Sequence, residues 1–367
     1  MHLRKIIAAM LLILAVQLVV SCAESTDEPS VITGTYEIQQ PKAPVDRGKR
    51  MLGIAPSESE QGFAATFTEL QKVDVEVIEL NLEWRYFESE PGQYQDPNGL
   101  LQAISFYGEQ GIQVGLSLAT INTVQRTDPA YLQDKSFDDP TYIVAFTQML
   151  DWVLEHMATN VSLAYISVGN EVDIYLSSEE WAPYQTFVRE AVGHIHEAKP
   201  GVVAGVKVTV MDGLLSEKQD QVLKLIALSD VAMLNYYPLD KQFHVLDQAI
   251  VAEHLSQITK LVDKTIYFTE AGYPSGDIHC QSSEAKQAAF YHTFFDLWDQ
   301  YASQISLANL VWLHDAAPEQ VAAWQVYYGL SDPAFVEYLG TLGVRTHEHT
   351  DKAAWQQIQV DAQARGW

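Results

Sequence analysis

Cysteine is scarce in this chain: Cys22 and Cys280 are the only two in 367 residues. Neither belongs to a CxxC or an HxxxH pattern, which removes the common zinc frameworks and any disulfide scaffold. His279 and His292 stand near Cys280 without completing a ligand set, so no metal is expected. Positive charge is also short, with 22 Lys plus Arg against 48 Asp plus Glu and a formal net charge of −26. A surface of that sign repels nucleic-acid phosphates and anionic headgroups, and it suits polyanionic polysaccharides poorly. Neutral sugars carry no charge to repel. A glycine-rich phosphate loop after an early strand is missing as well, so a doubly wound nucleotide-binding sheet lacks its signature and no cofactor is expected.

What is present begins with Arg4 and Lys5 ahead of an apolar stretch over residues 6–20. It is shorter than the roughly 20 residues of a membrane span and has the form of a secretory signal. The stretch runs into Val19-Val20-Ser21-Cys22, which resembles the bacterial lipobox. That resemblance implies a lipoprotein signal peptide over 1–21 and a lipidated Cys22 as the mature N-terminus. Ala23, where an aspartate would favour the inner membrane, implies anchorage in the outer membrane of the cell envelope. Cys280 is then left without a disulfide partner. Residues 22–50 hold Ser, Thr, Asp, Glu, Pro and Lys with no sustained apolar period, and read as a flexible tether. No second linker interrupts 51–367, which reads as one domain.

Within that domain, short apolar runs alternate with helical patterns. Strands are expected at 51–55, 75–82, 112–118, 162–168, 202–208, 230–236, 265–270 and 307–313. Helices are expected at 57–72, 99–110, 140–158, 179–198, 216–228, 247–262, 283–303 and 351–364. The run YIVAFTQMLDWVLEHM spaces its apolar residues three and four apart, as an amphipathic helix requires. Eight strand–helix units imply a parallel sheet closed on itself, an α/β fold of the (β/α)8 TIM-barrel type, with a long excursion at 315–350 before the last helix.

Two glutamates end such strands: Glu171 in AYISVGNEVD and Glu270 in TIYFTEAGYPSG. The C-terminal lip of a barrel strand serves packing badly and catalysis well. A pair of carboxylates on two lips matches glycosidic bond cleavage with retention, in which the two stand roughly 5–5.5 Å apart. Their environments must then push the two pKa values in opposite directions. In this assignment Glu171 is the acid/base and Glu270 the nucleophile. Asn170 can hydrogen-bond a sugar hydroxyl, Tyr237 can donate to the nucleophile, and Trp312 can face a pyranose ring. His314 shares a face with Trp312 by strand parity. Trp84, Tyr86 and Phe87 form an aromatic group after the second strand, with Trp84 a candidate for stacking on sugar. Tyr165, Tyr175 and Trp181 are equally compatible with packing, and one of Tyr236 and Tyr237 is expected in the helical layer.

VGNEV, NYYP, TEAGYPS and the tryptophan strand resemble, in this order, the clan A glycoside hydrolases, with wording closest to the β-1,3-glucanase family and some likeness to β-1,4-galactanases. The likeness covers most of the chain from Met51, and TLGVRTHEHTDKAAWQQ resembles the last loop and helix of such barrels, with Lys352 and Trp355 in the familiar places. It implies a retaining hydrolase of neutral β-glucan or β-galactan type. The alternatives are a transglycosylase and a non-catalytic carbohydrate-binding lipoprotein on a degenerate barrel. One departure stands out. Where such barrels carry an arginine on strand two that braces the nucleophile, this chain has Glu79. A buried glutamate there would repel Glu270 unless protonated or paired; Arg85 and Arg126 are the cations expected to compensate. Strand three also ends in LATINT, without a sugar-binding histidine or aspartate.

Overall fold

The computed structural model describes residues 36–96 and 99–367; the signal stretch, Cys22 and the first part of the expected tether lie outside them. The barrel strands are β1 (Met51–Ile54), β2 (Val77–Glu83), β3 (Gln113–Ala119), β4 (Leu163–Ser167), β5 (Ala204–Gly205 and Lys207–Thr209), β6 (Ala232–Tyr236), β7 (Ile266–Ala271) and β8 (Ile305–Leu310). All pair in parallel with their sequence neighbours, and β8 returns to β1 through Met51 opposite Leu307. The fifth strand is broken at Val206. Its first piece pairs with β4 and its second with β6, so nine segments make eight staves. The principal helices between them are α1 (Phe63–Leu70), α2 (Leu100–Glu109), α3 (Pro140–His156), α4 (Trp181–Ala198), α5 (Gln219–Leu228), α6 (Ala249–Leu261), α7 (Glu284–Gln300) and α8 (Ala353–Gln363).

Local chemistry accounts for several helix starts. Asp139 caps α3 by accepting from the Thr141 amide at 2.8 Å with Pro140 at the first position, and Ser283 caps α7 through the Lys286 amide at 3.1 Å. The excursion at 315–350 carries two further helices, Pro318–Tyr328 and Pro333–Gly340, the second capped by Asp332. Their aromatic residues reach back over the C-terminal face of the barrel.

Residues on alternate positions of a strand point the same way. Val77, Tyr165, Met233, Tyr267 and Leu307, with Met51 and Val203 against them, form a buried cluster inside the barrel, separate from the larger core between sheet and helices. Two residues beyond Val77, Met233 and Leu307 on this inward face come Glu79, Asn235 and Asn309. The layer above the apolar floor is therefore polar. Along β7 the register shifts by one residue: Leu234 pairs with Phe268, but Asn235 pairs with Glu270. Parity from Tyr267 would aim Thr269 inward; the bulge re-aims Glu270.

The expected tether needs correction over its described part. Tyr36 donates to Gln357 at 3.2 Å, and the Gln39 amide donates to the same side chain at 2.8 Å. Arg50 is buried, paired with Asp299 at 2.8 Å and set against both Trp298 and Trp367, whose rings stack on each other at 5.0 Å. Residues 36–50 are docked along the barrel by contacts that no apolar period announces. Among the described residues, no helix is long and apolar enough to cross a membrane.

Candidate active site

Glu171 follows β4 in left-handed backbone, φ 48° and ψ 41°. That conformation costs a non-glycine residue about 1 kcal/mol or more, and here it turns the carboxylate over the mouth of the barrel. One oxygen accepts from Thr123 Oγ1 at 2.8 Å, the other from Asn235 Nδ2 at 3.1 Å. Burial pushes the Glu171 carboxyl up, the charge of Glu270 pushes it further, and the two donors pull only part of the way back, leaving it at about 7.

Glu270 has a different set of neighbours. Tyr237 donates its hydroxyl to Oε2 at 2.6 Å, and Lys207 donates from Nζ to Oε1 at 3.3 Å. Lys207 also donates to Glu79 Oε1 at 2.5 Å, and the other oxygen of Glu79 accepts from Tyr165. Gly115 makes that last contact possible, because a Cβ there would lie 2.4 Å from the Tyr165 ring. Burial alone would discharge Lys207, but Glu79 and then Glu270 hold its ammonium above the ordinary range. Burial pushes Glu79 up against the pull of Lys207, with Glu270 adding to the rise. One buried cation thus serves two carboxylates.

The expected compensation by Arg85 or Arg126 is therefore corrected. Arg85 pairs with Glu83 at 2.6 Å and Arg126 with Asp128 at 2.5 Å; the cation beside Glu79 comes from β5. Its signal in the sequence was a lone lysine on the inward parity of VVAGVKV. Asn170 joins a chain of amides. Its oxygen accepts from Asn235 at 3.1 Å, its nitrogen donates to Asn122 at 2.9 Å, and Asn122 donates to Glu83 at 3.1 Å. Asn235 is the hub: it touches Glu171, stands in register with Glu270 and accepts from Thr269 at 2.8 Å.

Two cavities meet the lip. One, of about 640 Å³, is walled by Glu79, Asn122 and Trp312, with Tyr86 and Phe87 beside them. Trp312 stacks on Trp324 of the excursion, ring centres 4.8 Å apart, and follows a cis peptide from Val311. The other, of about 580 Å³, is walled by Glu171, Thr123, Asn235 and Tyr237, and by Tyr328 and Tyr338 of the excursion.

Two expected site residues lie elsewhere. Trp84 is completely buried, donates its indole N–H to Glu88 at 2.7 Å and packs edge-on against Tyr142 and Phe146. It turns into the helix layer, while its neighbours Tyr86 and Phe87 reach the cavity. His314 is also fully buried. Its Nδ1 donates to the Ser57 carbonyl at 2.8 Å, its ring stacks on His349, and burial lowers its pKa to about 4. The parity linking it to Trp312 fails because β8 ends at Leu310. Tyr236 faces the helices and meets His254 at 3.0 Å. Tyr165 serves Glu79 inside the barrel, and Trp181 is buried at the start of α4. Lys352 is paired with Asp315 at 2.7 Å, and Trp355 donates to Glu69 at 3.2 Å; both brace the last loop.

The Cys280 thiol donates to the Ala334 carbonyl at 3.2 Å, and burial pushes it up to about 12. His292, Asp296 and Asp361 place possible ligand atoms within 4.8 Å of one another in the helix layer. Arg365 already pairs with those aspartates at 2.9 and 3.1 Å, so they do not form an open cation site.

No protein-family model matches the chain, and no curated protein matches it in sequence. Solved structures do match. A GH5_18 protein from Streptomyces cattleya, in complex with GlcNAc, superposes with a TM-score of 0.66 at 14% identity, over 88% of this chain and 81% of that one. The exo-β-1,4-mannosidase Op5Man5 from an Opitutaceae bacterium gives 0.62 at 16%, over 86% and 59%. A family 39 glycoside hydrolase from Bacteroides cellulosilyticus gives 0.61 at 13%, over 87% and 64%. At these identities the likeness is one of fold: the chain is a (β/α)8 barrel of the kind that glycoside hydrolases of families 5 and 39 adopt.

Proposed function

We propose that the protein is a retaining β-glycosidase acting on neutral β-linked glycans, with Glu171 as acid/base and Glu270 as nucleophile. The observation that carries this reading is the contrast between two carboxylates on one lip. Glu171 is desolvated and keeps its proton to about pH 7, while Glu270 receives an ammonium and a phenol hydroxyl. A protonated acid beside a solvated or cation-paired base is what a double displacement needs. Glu270 attacks the anomeric carbon as the glycosidic C–O bond breaks, and the proton of Glu171 goes to the leaving oxygen. The ester that forms removes the charge of Glu270. Glu171, now relieved of that repulsion, can take a proton from water as it attacks, and the Glu270–sugar bond then breaks. Lys207 and Tyr237 hold Glu270 in position throughout.

The motif wording supports a glucan or galactan, and the name of the mannosidase neighbour adds a β-mannoside. A panel of β-1,3-glucan, β-1,4-galactan, β-mannan and xylan, with aryl β-glucoside, galactoside and mannoside, decides among them. Product anomers followed by NMR test retention. Full activity in E270A would remove the assignment. We also propose that Cys22 anchors the protein in the outer membrane; metabolic labelling with a fatty acid should be lost in C22A, and persistence of the label would refute the anchor.

A further inference from the structure

Three residues that line the cavity beside Trp312 each have a buried polar atom with no hydrogen-bond partner among the described residues: Glu58 Oε1, Gln320 Nε2 and His347 Nδ1. They come from separate segments. Glu58 follows β1, Gln320 lies in the first turn of the helix Pro318–Tyr328, and His347 precedes α8. A buried donor or acceptor left unmet costs about 1–3 kcal/mol, so three around one cavity call for a common partner. The loop bearing Glu58 is pinned on both sides. Ser57 Oγ donates to the His314 carbonyl at 2.7 Å and accepts from the His314 amide at 2.7 Å. Ser59 Oγ meets His349 Nδ1 at 3.0 Å, and the Glu60 amide donates to the His347 carbonyl at 3.0 Å. The buried, stacked pair of His314 and His349 thus braces the segment that carries Glu58. Burial with no donor on Oε1 pushes the Glu58 carboxyl up. Gln320 shares a helix face with Trp324, four residues on, and Trp324 stacks on Trp312 at the same cavity.

An acceptor, a donor and an imidazole nitrogen beside two indole rings match a pyranose. A sugar hydroxyl both donates and accepts, so one hydroxyl can give its hydrogen to Glu58 while taking another from Gln320, and the C–H face of the ring lies on indole. An apolar ligand leaves all three atoms unmet, and an anionic one brings like charge to Glu58. Resting on the glycosidase reading above, we propose that Glu58, Gln320 and His347 form a hydroxyl-reading group that selects the sugar of the substrate. Glu171 and Glu270 carry out the bond exchange; these three decide which sugar is held for it.

The test measures coupling between side chain and hydroxyl. The β-linked disaccharide of the sugar that the panel favours is compared with its monodeoxy analogues, one for each free hydroxyl on either ring, in the wild type and in E58A, Q320A and H347A. In the wild type, removal of at least one hydroxyl should lower kcat/KM by about tenfold or more, the loss expected when a hydrogen bond to a charged group is left unmade. In E58A the same parent-to-deoxy ratio should shrink to within about threefold. Q320A and H347A should each shrink the ratio at that hydroxyl or at its neighbour. E58Q keeps an oxygen that accepts and should restore part of the ratio, which a general disturbance of the loop would not do. Because each ratio is taken within one variant, the fraction folded cancels. Wild-type ratios below about threefold at every hydroxyl, or a large ratio that all three alanine variants leave unchanged, overturn the proposal and leave the hydrolase reading standing. Failure of the wild type to cleave the disaccharide or any glycoside of the panel overturns both.

Discussion

At the scale of single residues, the proposed chemistry rests on Lys207 and on the proton of Glu171. Lys207 is wholly buried between two carboxylates, so K207M strands Glu79 as an uncompensated buried charge. Urea unfolding should show a loss of about 3–5 kcal/mol. The double variant E79Q/K207M should recover most of that stability while activity stays at least about 100-fold down, because Glu270 still lacks its cation. Glu171 gives a second expectation. Its folded-state pKa is raised, so its contribution to stability is complete below about 4.5 and is lost as pH rises through about 7. E171Q does not titrate. It should match the wild type near pH 4 and exceed it by about 3 kcal/mol at pH 8, while wild-type hydrolysis falls above about pH 7 as the acid ionises. That Glu171, Glu270, Asn170 and Tyr237 share the lip of the barrel was legible because each lies at the end of a recognisable strand; their roles are those proposed above. Lys207 was not legible, because one lysine in an apolar run does not say which residue it meets across a barrel. His314 misled because parity holds inside a strand and lapses at its end, and Trp84 because an aromatic group after a strand does not say which of its rings turns into the helix layer.

At the scale of elements, every strand and principal helix appears within a few residues of its expected place, because runs of Val, Ile and Leu between amphipathic stretches leave few other solutions. The break at Val206 and the bulge at Thr269 were invisible; both are set by neighbours in the sheet rather than by local preference. So was the docking of residues 36–50. Its grip is a handful of specific contacts, above all the Arg50 guanidinium against the stacked pair of Trp298 and Trp367. A chain beginning at Met51 should therefore melt about 5 °C below one beginning at Tyr36, by calorimetry at equal pH. An unchanged melting temperature would mean that the segment only lies on the surface.

For the whole molecule, the excess of acidic residues, −26 in formal charge, acts on any charged ligand through the solvent. A uronic-acid glycoside should give a kcat/KM at least about tenfold below its neutral counterpart at low ionic strength, with the gap narrowing as salt approaches 1 M. A gap indifferent to salt would trace the discrimination to local contacts instead.

The place of Lys207 between Glu79 and Glu270 has a consequence of its own. In the proposed double displacement, the ester cancels one of the two negative charges that face the ammonium. Its pull then falls on Glu79 alone until the ester is resolved. A cation shared in this way lets one partner lose and regain its charge with no ion entering or leaving the buried layer.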